Sequence, residues 1–350
     1  MSLEVNAAKI PGRPSARSAR PGGPAAGAGS DSGSGADSGP GTGERALRKR
    51  ERRFQHRDKW WGYALIAPAG LGLAVFYLWP VVQTLYYSFT EWGPFGGTSW
   101  IGLSNYRTLV QDPEFWQALG NSGIYTGLVL LGIPVSMVLA VLLNLKGMRG
   151  SGVYRTLYFL PVVTMPAAVA VVWRWLYNGD VGIVNQALDA IGIDGTYWVS
   201  DPSTVRFAIA VIGVWMTVGY NMILLLAGLQ GIPQDLYEAS SLDGAGRVRQ
   251  FFSLTLPLLS PTLFFTTVLS VIQSLQVFDL VYLILGANTE GALMNPAYGE
   301  GQTVVMLFFQ KAFFDNQRSY GAAIVCVLFF LIMALTAIQF RLQKRWVHYG

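Results

Sequence analysis

The segment YEASSLDGAGRVRQFFSLTLP (237–257) sets Glu238, Arg247 and Arg249 between two apolar runs, each long enough to cross a bilayer. Covalent chemistry is not on offer there. A nucleophile needs a base within hydrogen-bond reach, and the two histidines, His56 and His348, lie near the chain ends, outside every apolar run. Cys326 is the one cysteine, so no internal disulfide forms, and no His/Cys/carboxylate group has metal-ligand spacing. The chemistry left is recognition and the transmission of force. Pro233 can open a helix over 234–242, since the donor it lacks has no partner at a helix start. Gly244 and Gly246 permit the left-handed backbone of a sharp turn. A second helix over about 247–255 then leads into Pro257 and the next apolar run. The resulting knob sets Leu236, Leu242, Phe251 and Phe252 beside its charges, a composition suited to a groove in a partner.

The elements that carry this knob follow from composition. Of 350 residues, 52% are hydrophobic and 13% charged, against roughly 25% charged in soluble domains. Six stretches lack Asp, Glu, Lys and Arg over spanning length: 62–90, 119–145, 156–173, 207–234, 251–278 and 319–340. A backbone in hydrocarbon must satisfy its own hydrogen bonds, so these are expected to be helices of an all-α integral membrane protein. With the N-terminus inside, the inner segments 44–59, 146–155, 235–250 and 341–350 carry 8, 3, 2 and 3 Lys and Arg. The outer segments 91–118, 174–206 and 279–318 carry 1, 2 and 2. The positive-inside bias therefore predicts both termini in the cytoplasm of a multi-pass cell-membrane protein.

Residues 1–43, rich in Gly, Ala, Ser and Pro, read as a disordered cytoplasmic tail without a cleaved signal. The basic run 44–59 reads as a juxtamembrane segment resting on lipid headgroups, not as a nucleic-acid site. The outer segment 91–118 is expected to form a short surface helix or loop. Trp60, Trp61, Tyr86, Tyr87, Trp173, Trp175, Tyr177 and Trp346 suit an interfacial aromatic belt. Prolines 68, 80, 134, 161, 166, 257 and 261 interrupt the spans, as in a protein that encloses a path. The candidates for a charge deep in the bilayer are only Arg174 and Asp279, both near the outer ends of their spans. An ion-coupled carrier needs an ionisable group at mid-depth. The energy for transport is therefore expected from a partner.

The knob also carries a family resemblance. Glu238-Ala239-Ser240, three residues, Gly244, nine residues, then Leu254-Thr255-Leu256-Pro257 resembles the EAA motif of binding-protein-dependent ABC importer permeases, with Ser240 for Ala and Leu254 for Ile. The resemblance covers roughly residues 60–345, with 115–341 as the permease core and 234–257 as the coupling loop. RTLYFLPVVTMP (155–166), VVWRWLYNGDVGIVN (171–185) and LQVFDLVYLIL (275–285) are similar to the first permease subunit of maltose and glycerol-phosphate importers. ILGANTEGALMNPAYGEGQ (284–302) departs from the Gly-rich turn usual there.

The resemblance implies a type I permease fold in which 234–257 docks into a dimeric ATPase. It also implies a second, related permease, a periplasmic or extracellular sugar-binding protein, and a sugar as solute. The chain itself would be neither an enzyme nor the holder of a cofactor. Matching segments place Tyr220, Gln273 and Ser274 on the sugar path, with Gln276 one helical step away and Asp279 in a structural or gating role. No Arg or Lys stands in spans two to five away from their ends, which leans toward a neutral di- or oligosaccharide over glycerol phosphate or another polyol.

Overall fold

The computed structural model of the chain describes residues 62–92, 97–145, 150–286 and 294–346. The tail 1–43, the basic segment 44–59 and the paired Trp60 and Trp61 lie outside the described residues. Among the described residues, five helices are long and apolar enough to cross a bilayer: α1 (Gly62–Tyr87), α3 (Pro113–Leu143), α7 (Val205–Gln230), α9 (Arg247–Leu275) and α13, whose apolar part is Arg318–Lys344 of Arg318–Trp346. Residues 62–69 are helical, and the packed bundle is built from Gly70 onward.

The expected third span, 156–173, is not one helix. It is a pair, α4 (Ser151–Val163) and α5 (Pro166–Leu176), bent by 99°. Thr164 and Met165 are extended (ψ 136° and 133°). Pro166 causes the break: its ring excludes helical backbone at Met165, and it has no N–H to offer the preceding turn. Periodicity missed this because both halves are equally apolar.

The outer segment also holds more than a helix or loop. Strands β1 (Thr90–Trp92) and β2 (Thr98–Trp100) pair antiparallel, with Thr90 opposite Trp100, ahead of α2 (Ser104–Gln111). Asn105 fastens them, its Nδ2 donating to the carbonyls of Ser88 and Thr90 at 2.9 Å. The shorter helices are α6 (Ile183–Asp189), α8 (Gln234–Leu242), α10 (Asp279–Leu285), α11 (Tyr298–Gly301) and α12 (Val304–Phe314).

Helix α7 is the axis of the bundle and packs against α3, α4 and α9. Its approach to α4 runs through Gly219, where a Cβ would overlap the Tyr158 carbonyl. One apolar core, around Ile212, Val281 and Ile284, joins α7 to α10 and α5. A second, around Met222, Leu225 and Leu259, joins α7, α3 and α9 below the hairpin α8–α9. A third, around Leu307 and Ile324, joins α12 and α13.

Prolines shape the long helices instead of ending them. Trp79 N–H bonds back to Ala74 O and Leu256 N–H to Phe251 O, so each helix widens into a π turn just before Pro80 and Pro257. The wider turn makes room for a ring that an α turn would drive into a carbonyl. Pro261 leaves the Pro257 carbonyl without its helical donor, and the Ser260 hydroxyl donates to that oxygen at 2.6 Å.

Candidate functional site

Two places in the bundle hold the residues singled out above, and α9 runs between them. The first is the hairpin. Helix α8 ends in a Schellman cap: Gly244 N–H donates to Ser241 O (3.1 Å) and Ala245 N–H to Ser240 O (3.0 Å), with Gly244 left-handed at φ +80°. Gly246 is not left-handed. It is extended (φ −70°, ψ 164°), because one left-handed residue suffices to reverse the chain. The second leg is not a separate helix either; Arg247 begins the same helix that continues to Leu275. Glu238 and Ala239 are exposed on α8, as is Gly244 at its end, while Ser240, Leu254, Leu256 and Pro257 are half-buried. Leu242 and Phe252 are largely exposed, an apolar tip left uncovered by the described residues.

The second place is a cavity of about 240 Å³ at the far end of α9, where α9 gives way to α10. Gln273, Ser274, Gln276 and Asp279 line it, with Thr217 and Met216 of α7, Tyr125 of α3 and Pro166 at the bend of the broken span. Gln273, Gln276 and Asp279 are exposed into it. Ser274 is committed to its own helix, donating to Ser270 O at 2.6 Å. The chain leaves helical form at Gln276–Phe278, so Asp279 sits in the first turn of α10, where a carboxylate complements the helix dipole. No Lys, Arg or His is among the lining residues.

Tyr220 does not line this cavity. It is half-buried, one residue before Asn221, whose side chain is buried and donates to Ser270 Oγ of α9 at 3.2 Å. Asn221 thus supplies a polar link between α7 and α9, next to the Tyr220 that sequence matching places on the sugar path.

Sequence reasoning also missed a polar knot near the β-hairpin end of the bundle. Asn121 of α3 is buried; its Nδ2 donates to the carbonyls of Gly299 (2.8 Å) and Gln302 (2.9 Å), and its Oδ1 accepts from Arg206 Nε of α7 (2.9 Å). Arg206 pairs with Glu300, which also accepts from Gln117. Tyr298 beside them donates to Gln310 Oε1 at 2.9 Å, and burial pushes its phenol up to about 12, so it remains a donor at neutral pH. An Asn and an Arg bordering apolar runs were the available signal.

Comparison with known proteins follows this geometry. The family model for the binding-protein-dependent transport system inner membrane component matches residues 125–348. The chain is 34% identical over 318 residues to the probable ABC transporter permease protein YesP of Bacillus subtilis, covering 88% of this chain and 98% of that one. It is 34% identical over 295 residues to the sn-glycerol-3-phosphate transport system permease protein UgpA of Pectobacterium atrosepticum, covering 84% and 97%. In fold it resembles a chain of a bacterial alginate ABC transporter solved in complex with an alginate pentasaccharide-bound periplasmic protein, at TM-score 0.73, 22% identity, and coverage of 84% and 97%. The apolar helices, the hairpin and these relatives agree: the chain is a multi-pass membrane protein of the binding-protein-dependent transport system inner membrane component family, an ABC transporter permease subunit without enzymatic activity of its own.

Proposed function

We propose that this subunit, paired with a second related permease, carries a neutral sugar into the cytoplasm when an ATPase dimer closes on the hairpin α8–α9. The solute arrives from a periplasmic or extracellular binding protein, and both termini lie in the cytoplasm. The observation that carries the substrate class is the cavity at the end of α9, which offers amides, hydroxyls and one carboxylate but no cation. Hydroxyl-rich solutes are recognised by such groups, whereas phosphate favours Arg or Lys. About 240 Å³ is below the roughly 300–1,000 Å³ of pockets that enclose a ligand, so the second permease supplies the facing wall. Residues 234–257 act as the coupling loop, and 1–43 as a dispensable tail.

The relatives named for glycerol phosphate favour a second reading, an anionic substrate. Proteoliposomes holding the full complex and its binding protein separate the two. Neutral di- and trisaccharides should stimulate ATP hydrolysis and enter the vesicles, and glycerol 3-phosphate should do neither. The reverse result would overturn the neutral-sugar assignment.

Within this reading, Gln273→Ala and Gln276→Ala each delete hydrogen bonds to solute, with a net value of about 0.5–1.5 kcal/mol. That corresponds to a loss of about two- to ten-fold in apparent affinity or uptake rate. Tyr220→Phe should change uptake less than either, since Tyr220 lies off the cavity wall. Concentration-dependent uptake with the three variants checks this order.

A further inference from the structure

The hairpin has two soft points between its docking surface and the membrane. One is the glycine turn, with Gly244 left-handed and Gly246 extended. The other is the π turn Phe251–Thr255, where the backbone bond reaches from Leu256 to Phe251. A push on α8 that travelled only along the chain would be absorbed at both.

A side-chain circuit bypasses them. The Tyr237 hydroxyl lies 3.0 Å from Thr255 Oγ1, which in turn donates to Gln250 O at 3.4 Å. With the threonine proton so used, Tyr237 is the donor to Thr255. Gln250 Nε2 returns a bond to the Tyr237 carbonyl at 3.3 Å. Thr255 is buried, and Tyr237 packs on the core that holds Met222, Leu225 and Leu259. Thr255 closes the π turn, so the circuit ties the middle of α8 to the far side of both soft points. The three bonds are partly buried, and a network sheltered from water rigidifies when its members are satisfied.

We infer that Tyr237 is a positioning residue that makes α8 and the membrane-crossing helix α9 move as one rigid body when the ATPase acts on the hairpin. This rests on the permease function proposed above. Without the hydroxyl, α8 pivots on the glycine turn and less of its displacement reaches the cavity at the end of α9.

The test measures that rigidity in the assembled complex with its ATPase. Spin labels on cysteines replacing Asp235 of α8 and Phe265 of α9, both exposed, report the hairpin-to-helix distance in a Cys326→Ala background. In wild type the distance should be the same, within the peak width, in the resting and the vanadate-trapped nucleotide states. Tyr237→Phe, which keeps the ring packed, should separate the two states by more than that width, and Thr255→Val should do the same. Thr255→Ser, which keeps the hydroxyl, should restore the wild-type distances. The double variant should match the singles, because both remove one interaction. Tyr237→Phe and Thr255→Val that both coincide with wild type in both states would overturn the rigid-body role. Failure of the wild-type complex to form any trapped nucleotide state would instead overturn the permease function itself.

Discussion

Replacing Gly244 by valine is expected to reduce uptake to background while the protein still folds and inserts. At φ +80° a β-branched residue is strained by about 1–2 kcal/mol, and the hairpin tip must reshape to relieve it. The strain is local to the backbone and not a clash with the rest of the fold: nothing beyond the neighbouring residues lies within 4 Å of a Cβ built at 244. Relaxation would undo the Schellman bonds of Ser240 and Ser241 and move Leu242, which is the exposed end of the docking surface. A cost of that size leaves a bundle this large folded, but a displaced tip cannot seat in a rigid groove. Gly246→Ala is the matched control. Gly246 has the φ of an ordinary residue and open space around it, so uptake should stay near wild type. Uptake and detergent-solubilised melting temperature, measured for both variants at equal expression, give the comparison. Normal transport by Gly244→Val would show that the turn is not part of the coupling surface.

Asn121→Ala should produce the largest loss of stability among single polar substitutions in the bundle. It removes the donor from two carbonyls, Gly299 and Gln302, and one of the two acceptors of Arg206 Nε, which keeps the Glu300 carbonyl at 3.1 Å. Each buried group left without a partner costs about 1–3 kcal/mol, so a total of about 3 kcal/mol or more is expected after partial compensation by water. Arg206 and Glu300 are each about a third exposed, so their ion pair adds little to that sum. Gln117→Ala, at the exposed rim of the same knot, should shift melting by far less. Thermal unfolding of the purified subunit reads the difference, and an unchanged Asn121→Ala midpoint would contradict the role given to the knot. Helices α3 and α7 and the short α11 meet there, so a loosened knot should also disturb the cavity below it.

The parts of this structure that were legible in the sequence are those encoded locally. Uncharged runs of spanning length became α1, α3, α7, α9 and α13 because a backbone in hydrocarbon has few alternatives to a helix. The hairpin was legible from Pro233 and Pro257, which fix their own φ, and from Gly244, which permits the left-handed turn between them. The bend at Thr164–Met165 was within reach, since Pro161 and Pro166 bracket it, but an unbroken apolar composition hid it. The π turns before Pro80 and Pro257 adjust register by one residue and leave no compositional trace. The knot of Asn121, Arg206 and Glu300 joins residues 85 and 94 or more positions apart, and no local pattern reports such a meeting. Tyr220 stands three and four positions after Thr217 and Met216, on the same face of α7, and misses the cavity wall because it lies about one turn farther along the helix.

In the proposed function, the energy for transport enters through the hairpin from an ATPase and not through an ion gradient. No charged residue stands at mid-depth in the spans, and the cavity holds no histidine or cation. Uptake of a labelled neutral sugar, in cells whose ion gradients are collapsed by ionophores while ATP is maintained, tests this directly. Undiminished uptake that disappears on ATP depletion is the predicted result. Uptake that collapses with the ion gradients while ATP remains high would contradict it.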